Sequence, residues 1–155
     1  MTALALALWA TPWWSALAAD GGTAIAVVVN RANPVDNLTL TRLRDLLTAK
    51  TATWPTGKRV VIVLTDEGDS RTAVLKICCR QAPQDYDTAM LRAVFTGDLP
   101  AAPRHLNTGE AVSKFVFNVA GGIGIVPLEH MTDIVKTVRI AGLTPADAAY
   151  PLRTR

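Results

Sequence analysis

The stretch that determines the fold of this 155-residue chain is residues 60–79, VVIVLTDEGDSRTAVLKICC. Residues 60–64 form an uninterrupted apolar, largely β-branched run, which is typical of a parallel strand covered on both faces. After the polar residues, apolar side chains recur at helical spacing, and Asp69 or Ser70 is a suitable N-cap. The stretch therefore predicts a buried strand, a turn over residues 65–72 and a helix that begins near Ser70.

This turn is the best candidate for a functional site. Backbone N–H groups at a helix start have no partner within the helix, and the hydroxyls of Ser70 and Thr72 can add donors, with Arg71 adding positive charge. This combination indicates anion binding. The alternative is that Ser70 only caps the helix and that the three carboxylates of the turn only solvate it.

A second buried strand is predicted over residues 24–29, AIAVVV, and the polar residues Asn30 and Arg31 follow it. Thr39 then caps a helix, so the chain predicts a β-α-β unit with a right-handed crossover. Ligands bind at the carboxyl ends of strands in such sheets. If the two strands are neighbours, Asn30 and Arg31 face residues 70–72.

The rest of the chain continues the pattern of helices and strands. The predicted elements are a helix from Asp85 or Asp87 to Gly97, a helix capped by Thr108 and ended by Gly121, strands over residues 123–126 and 134–140, and a loop-like tail over residues 142–155. The order of elements predicts an α/β fold with three layers, α/β/α.

The first 19 residues are almost wholly apolar and resemble an export signal. An A-x-A pattern at residues 16–18 predicts cleavage after Ala18 or Ala19. The rival interpretation is an uncleaved membrane anchor, although the run is short for a span. We expect export to the periplasm and one mature domain over residues 20–155.

Charge and reactive side chains exclude several functions. The formal net charge is +3, with Lys and Arg scattered among Asp and Glu, so nucleic acid is not an expected partner. Cys78 is predicted to lie in the core and Cys79 in the core or at the helix flank, with a redox or metal-binding thiol pair as the alternative. His105 and His130 are predicted to be surface loop residues. We therefore expect no catalytic residues, metal or cofactor.

Several segments together resemble the phosphate-binding solute proteins of ABC transporters. Residues 24–35 and 38–60 are similar to a strand and helix that lead to a W-x-x-G turn, and DEGDSRTAVL resembles an S-G-T helix-start loop. AGGIGIVPL resembles a G-x-I-G-Y strand, and GLTPADAAYPLRTR resembles the closing segment. The resemblance implies a single lobe of the type II periplasmic-binding-protein-like fold, without the N-terminal segment of the first lobe.

Carried over by residue, the resemblance places the S-G-T loop on Ser70, Arg71 and Thr72, with arginine in place of glycine. The family's arginine before this loop has no match, because Asp66 and Glu67 occupy that region. Each charge-assisted hydrogen bond contributes about 1.5 to 3 kcal/mol, whereas association costs roughly 4 to 15 kcal/mol. A site that contacts the anion from one side only is expected to bind it weakly.

The sequence thus predicts an exported, non-catalytic domain that binds phosphate or a related oxyanion, in ABC-type uptake or sensing. ABC transporter membrane components or a second copy of the chain would complete its cleft. The alternatives are a periplasmic interaction or accessory module that kept the fold without the ligand, and, less favoured, a thiol enzyme that uses Cys78 or Cys79.

Overall fold

Residues 21–155, which the computed structural model describes, contain six strands in one mixed sheet. The strands are β1 (Ile25–Val29), β2 (Asn37–Leu38), β3 (Val61–Thr65), β4 (Arg104–Leu106), β5 (Gly122–Pro127) and β6 (Lys136–Ile140). Their spatial order is β2-β6-β1-β5-β3-β4. The two predicted buried strands are confirmed, and the short strands β2 and β4 were not predicted. The predicted export signal, residues 1–19, lies outside the described residues.

Strand direction corrects the predicted β-α-β unit. β1 is antiparallel to both of its neighbours, β5 and β6, whereas β3 is parallel to β5 and β4. β1 and β3 are therefore separated by β5 and run in opposite directions, so the predicted parallel crossover is wrong. The apolar run of β1 indicates that both faces of the strand are buried. A central antiparallel strand between two helical layers is buried in the same way.

Helices cover both faces of the sheet. They are α1 (Leu40–Leu47), α2 (Ser70–Val74), which continues as a π-helix (Leu75–Cys79), α3 (Pro83–Phe95), α4 (Gly109–Asn118) and a 3-10 turn (Leu128–His130). Successive side chains of β1 point into two hydrophobic cores, one on each face of the sheet. Val27 packs with α1, α2 and α3, whereas Val28 packs with α4. The predicted three-layer α/β/α architecture is confirmed.

Local signals fix most of the helix starts. Thr39 accepts a hydrogen bond from Arg42 N at 3.1 Å, and Thr108 accepts one from Ala111 N at 3.2 Å, as predicted for N-caps. α2 begins at Ser70, also as predicted. α3 begins earlier than expected, at Pro83, because proline is favoured in the first turn.

Two of the sequence motifs meet in the structure. The buried Trp54 of the W-x-x-G turn donates from Nε1 to the carbonyl of Gly121 at 2.9 Å. The same carbonyl accepts from Val61 N at 3.0 Å. The turn between α4 and β5 is therefore hydrogen-bonded to the start of β3. This contact sets the register of the parallel strands β3 and β5.

The tail has no regular element but is fixed to the sheet. Tyr150 donates from its hydroxyl to Ile25 O at 2.9 Å, and Ile25 N donates to Leu152 O at 2.9 Å. Both Tyr150 and Leu152 are buried. Across residues 21–155, no helix has the length and apolar character needed to cross a membrane.

Candidate functional site

The predicted turn lies where β3 ends and α2 begins. Ser70 is buried at 2% exposure, whereas Thr72, one position beyond Arg71, is exposed. Gly68 adopts φ +58°, a left-handed conformation that reverses the chain and that glycine tolerates without strain. The turn therefore presents one buried and one exposed hydroxyl at the carboxyl end of a parallel strand.

Arg71 is held by two carboxylates. Its Nη1 donates to Asp66 Oδ1 at 3.0 Å, and its Nη2 donates to Asp87 Oδ2 on α3. Only 17% of the arginine side chain is exposed, so both ion pairs are partly shielded from solvent. The positive charge predicted for anion binding is thus compensated within the protein, and Arg71 ties the turn to α3.

His105 adds a fourth member to this group. It lies in β4, not in a loop as predicted, with Nδ1 3.4 Å from Asp66 Oδ1 and Nε2 3.6 Å from Asp87 Oδ1. The imidazole is 31% exposed. A sequence signal for this arrangement is lacking, because the two carboxylates and the histidine come from different elements that only the sheet brings together.

Glu67 links the turn to the start of α4. Its Oε2 accepts from the backbone N–H of Gly109 at 2.8 Å, and its Oε1 lies 2.9 Å from His130 Nδ1. A carboxylate at a helix N-terminus is stabilised by the unpaired N–H groups and the helix dipole. The protein's own carboxylate therefore occupies a position that suits an anion.

The structure separates Asn30 and Arg31 from the turn. Val29 pairs with Ile123, which also pairs with Ile62 near the start of β3, so Asn30 and Arg31 lie at the end of the sheet opposite residues 70–72. Asn30 Nδ2 donates to Val116 O at 3.0 Å and to Phe117 O at 2.8 Å, which satisfies carbonyls at the end of α4. Arg31 Nη2 donates to Asp133 O. The expectation that both residues face the turn is wrong, because it required β1 and β3 to be parallel neighbours.

A pocket of about 420 Å³ lies on the outer side of α2. It is lined by Asp69, Thr72, Ala73, Lys76, Ile77, Arg153 and Arg155. Three of these side chains are cationic and one is a carboxylate. The exposed hydroxyl residue of the predicted site therefore borders a cavity with an excess of positive charge, to which the tail contributes two arginines that sequence reasoning did not connect with the turn.

Cys78 and Cys79 are free thiols at the end of the π-helix. Cys78 is buried, as predicted, and burial raises its pKa to about 12, with the neighbouring Cys79 adding to the shift. Burial also raises the pKa of Cys79, while the charge of Arg44 opposes that shift. A reactive thiolate requires the opposite environment. Within residues 21–155, no group of three or more His, Cys, Asp or Glu side chains is arranged to hold a metal ion.

Alkylation of the native protein should therefore distinguish the two thiols. At pH 8, iodoacetamide should modify Cys79 at least about tenfold faster than Cys78, because Cys78 is less accessible and burial raises its pKa to about 12. Peptide mass spectrometry after timed quenching measures both rates. Equal rates, or faster modification of Cys78, would contradict this assignment and revive the thiol-enzyme alternative.

The sheet order and the helices on both faces form a three-layer α/β/α lobe, and this fold is shared with periplasmic-binding-protein-like structures. Solved structures with this fold include an ABC-type phosphate transport receptor from Vibrio cholerae, with a TM-score of 0.65, 19% identity, and coverage of 84% of this chain and 54% of the receptor. PstS from Borrelia burgdorferi matches with a TM-score of 0.65 and 11% identity, over 84% of this chain and 54% of PstS.

A third match is a phosphate-binding protein from Stenotrophomonas maltophilia, with a TM-score of 0.52 and 18% identity over 80% of this chain and 40% of that protein. The chain thus has the fold of phosphate ABC transporter substrate-binding proteins and spans about half the length of those it matches. A scan against protein-family models and a search of curated proteins gave no match.

Proposed function

We propose that residues 20–155 form an exported, non-catalytic domain that binds phosphate or a related oxyanion at the turn between β3 and α2. The observation that best supports this proposal is the position of Thr72, an exposed hydroxyl residue that lies in the S-G-T-like segment and borders the cationic pocket. A hydroxyl donor beside uncompensated positive charge is suited to an oxyanion.

The residues of the turn have different roles in this proposal. Thr72 contacts the ligand, whereas Ser70 is buried at the first position of the helix. Arg71 positions the turn through Asp66 and Asp87, since its charge is already compensated. Asn30 and Arg31 are not part of this site, because they lie at the other end of the sheet.

One lobe alone should bind weakly, with a Kd of about 1 mM, which corresponds to about −4 kcal/mol. The chain spans about half the length of the phosphate-binding proteins that it matches, and residues 21–155 form one wall of the proposed cleft. We propose that ABC transporter membrane components or a second copy of the chain form the other wall, within phosphate uptake or sensing in the periplasm.

Calorimetric titration with phosphate, with sulfate as the control anion, tests the proposal. Thr72→Ala should weaken phosphate binding by about tenfold or more through loss of one hydrogen bond to a charged ligand. Arg71→Ala and Ser70→Ala test the other two positions. Thr41→Ala, which removes an exposed hydroxyl from α1, is the matched control and should leave the affinity unchanged.

A periplasmic interaction or accessory module is the second candidate. It is favoured by the internal carboxylates, because Asp66 and Asp87 compensate Arg71 and Glu67 occupies the start of α4. If neither the monomer nor any oligomer gives heat with phosphate up to millimolar concentrations, the oxyanion proposal is wrong and the accessory module remains.

A further inference from the structure

The pocket beside α2 contains cations that differ from Arg71 in their partners. Arg153 donates from Nη2 to Asp147 O at 2.9 Å and from Nη1 to Gly22 O at 3.3 Å, so its guanidinium is oriented by carbonyls and not by carboxylates. Its Nε is buried and lacks a hydrogen-bond partner among residues 21–155. Arg153 is therefore fixed in place with its positive charge uncompensated.

Lys76 and Arg155 provide further charge at the same pocket. In the part of the chain that the structure describes, neither side chain forms an ion pair, and Asp69 is the one acidic side chain in the lining. An oxyanion entering beside Thr72 would meet these cations and would not compete with an existing carboxylate partner. At Arg71, by contrast, it would have to displace Asp66 or Asp87.

Part of the pocket lining is apolar. Ala73 and Ile77 follow Thr72 and Lys76 on the helix, and Ile77 remains 37% exposed although it is a large hydrophobic residue. The volume of about 420 Å³ lies within the range of small-molecule sites, roughly 300 to 1,000 Å³. An inorganic oxyanion would contact the cations but would leave the Ile77 side chain exposed to water.

We infer that this pocket binds a phosphate monoester, with the phosphoryl group on Lys76, Arg153 and Thr72 and the organic group against Ile77. The inference rests on the proposed oxyanion-binding function and specifies its ligand class. A bound monoester removes apolar area from water at Ile77, while the phosphoryl oxygens accept charge-assisted hydrogen bonds from the cations.

Calorimetric titrations with phenyl phosphate and with inorganic phosphate test the inference. Phenyl phosphate should bind about tenfold more tightly, because the ring covers apolar surface that the inorganic ion leaves exposed. Ile77→Ser should abolish this difference without weakening inorganic phosphate. Leu91→Ser, which alters an exposed apolar residue on α3, is the matched control and should leave both affinities unchanged.

Lys76→Gln should weaken both ligands by about fivefold or more, whereas Lys50→Gln, which removes one exposed charge elsewhere, should not. Lys76 forms no ion pair among the described residues, so its replacement should leave the fold intact. The Lys76 variant therefore tests the cationic site even if Arg153→Gln destabilises the tail. Equal affinity for the two ligands, or a preference that persists in Ile77→Ser, overturns the inference but leaves the oxyanion function in place. Absence of binding by both ligands removes both.

Discussion

Gly121→Ala should lower the free energy of unfolding by about 3 kcal/mol or more, because a side chain at this position clashes with backbone. A Cβ atom built on Gly121 would lie 1.9 Å from the carbonyl oxygen of Arg59, which cannot rotate away as a side chain could. Relieving the contact would move the Gly121 carbonyl away from Trp54 Nε1 and Val61 N. Thermal and denaturant unfolding measure the loss.

The matched control for this prediction is Gly21→Ala. A Cβ atom on Gly21 would have no neighbour within 4 Å, so this variant should unfold within about 0.5 kcal/mol of the parent protein. If Gly121→Ala were as stable as Gly21→Ala, the close approach between the α4–β5 turn and the entry of β3 would be absent in solution, and the register of the central strands would need revision.

Trp54→Ala should be similarly damaging, with a loss of about 3 to 5 kcal/mol, because it removes a buried aromatic ring from a packed core. The indole also donates the Nε1 hydrogen bond that holds the turn at Gly121. Trp54→Phe retains most of the apolar volume and removes the donor, so we expect an intermediate loss of about 1 to 2 kcal/mol. Urea unfolding of the three proteins separates the packing effect from the hydrogen bond.

A third variant shows whether the effect of Trp54 is specific to its buried position. Phe95 is 82% exposed at the end of α3, and Phe95→Ala should change the free energy of unfolding by no more than about 0.5 kcal/mol. A Trp54→Ala protein as stable as Phe95→Ala would contradict the role of the W-x-x-G turn in fixing β3.

Much of the fold was predictable because local patterns encode burial and helix ends. The apolar runs at residues 24–29 and 60–64 identified β1 and β3, and the hydroxyls of Thr39 and Thr108 identified two helix starts. Strand direction was not predictable from the same patterns. A run such as AIAVVV specifies that both faces are buried, but its partner strands are chosen by residues about a hundred positions away.

The site was predicted less completely than the fold. The position of Ser70 at a helix start followed from the adjacent sequence, and that part is confirmed. The contact between Glu67 and Gly109 joins residues 42 positions apart, and the pairing of Asp87 with Arg71 depends on how α3 packs. Contacts of this kind depend on tertiary packing, so the turn could be located while the compensation of its arginine could not.

The internal carboxylates change how the turn should be understood. A turn with an uncompensated arginine would attract phosphate by itself, whereas here Asp66 and Asp87 use that charge to hold α3. The cations that line the neighbouring pocket are Lys76, five residues beyond Arg71, and Arg153 and Arg155 of the tail. The proposed ligand therefore lies toward the outer side of α2, next to Thr72.

Backbone amide chemical shifts recorded during a phosphate titration of the mature protein test the central claim most directly. The proposal predicts saturable shifts concentrated in residues 66–77 and in the tail near Arg153, with Asn30 and Arg31 at the opposite end of the sheet unchanged. Shifts centred on Asn30 and Arg31, or an absence of saturable shifts at millimolar phosphate, would contradict the claim that this lobe binds an oxyanion at the turn after β3.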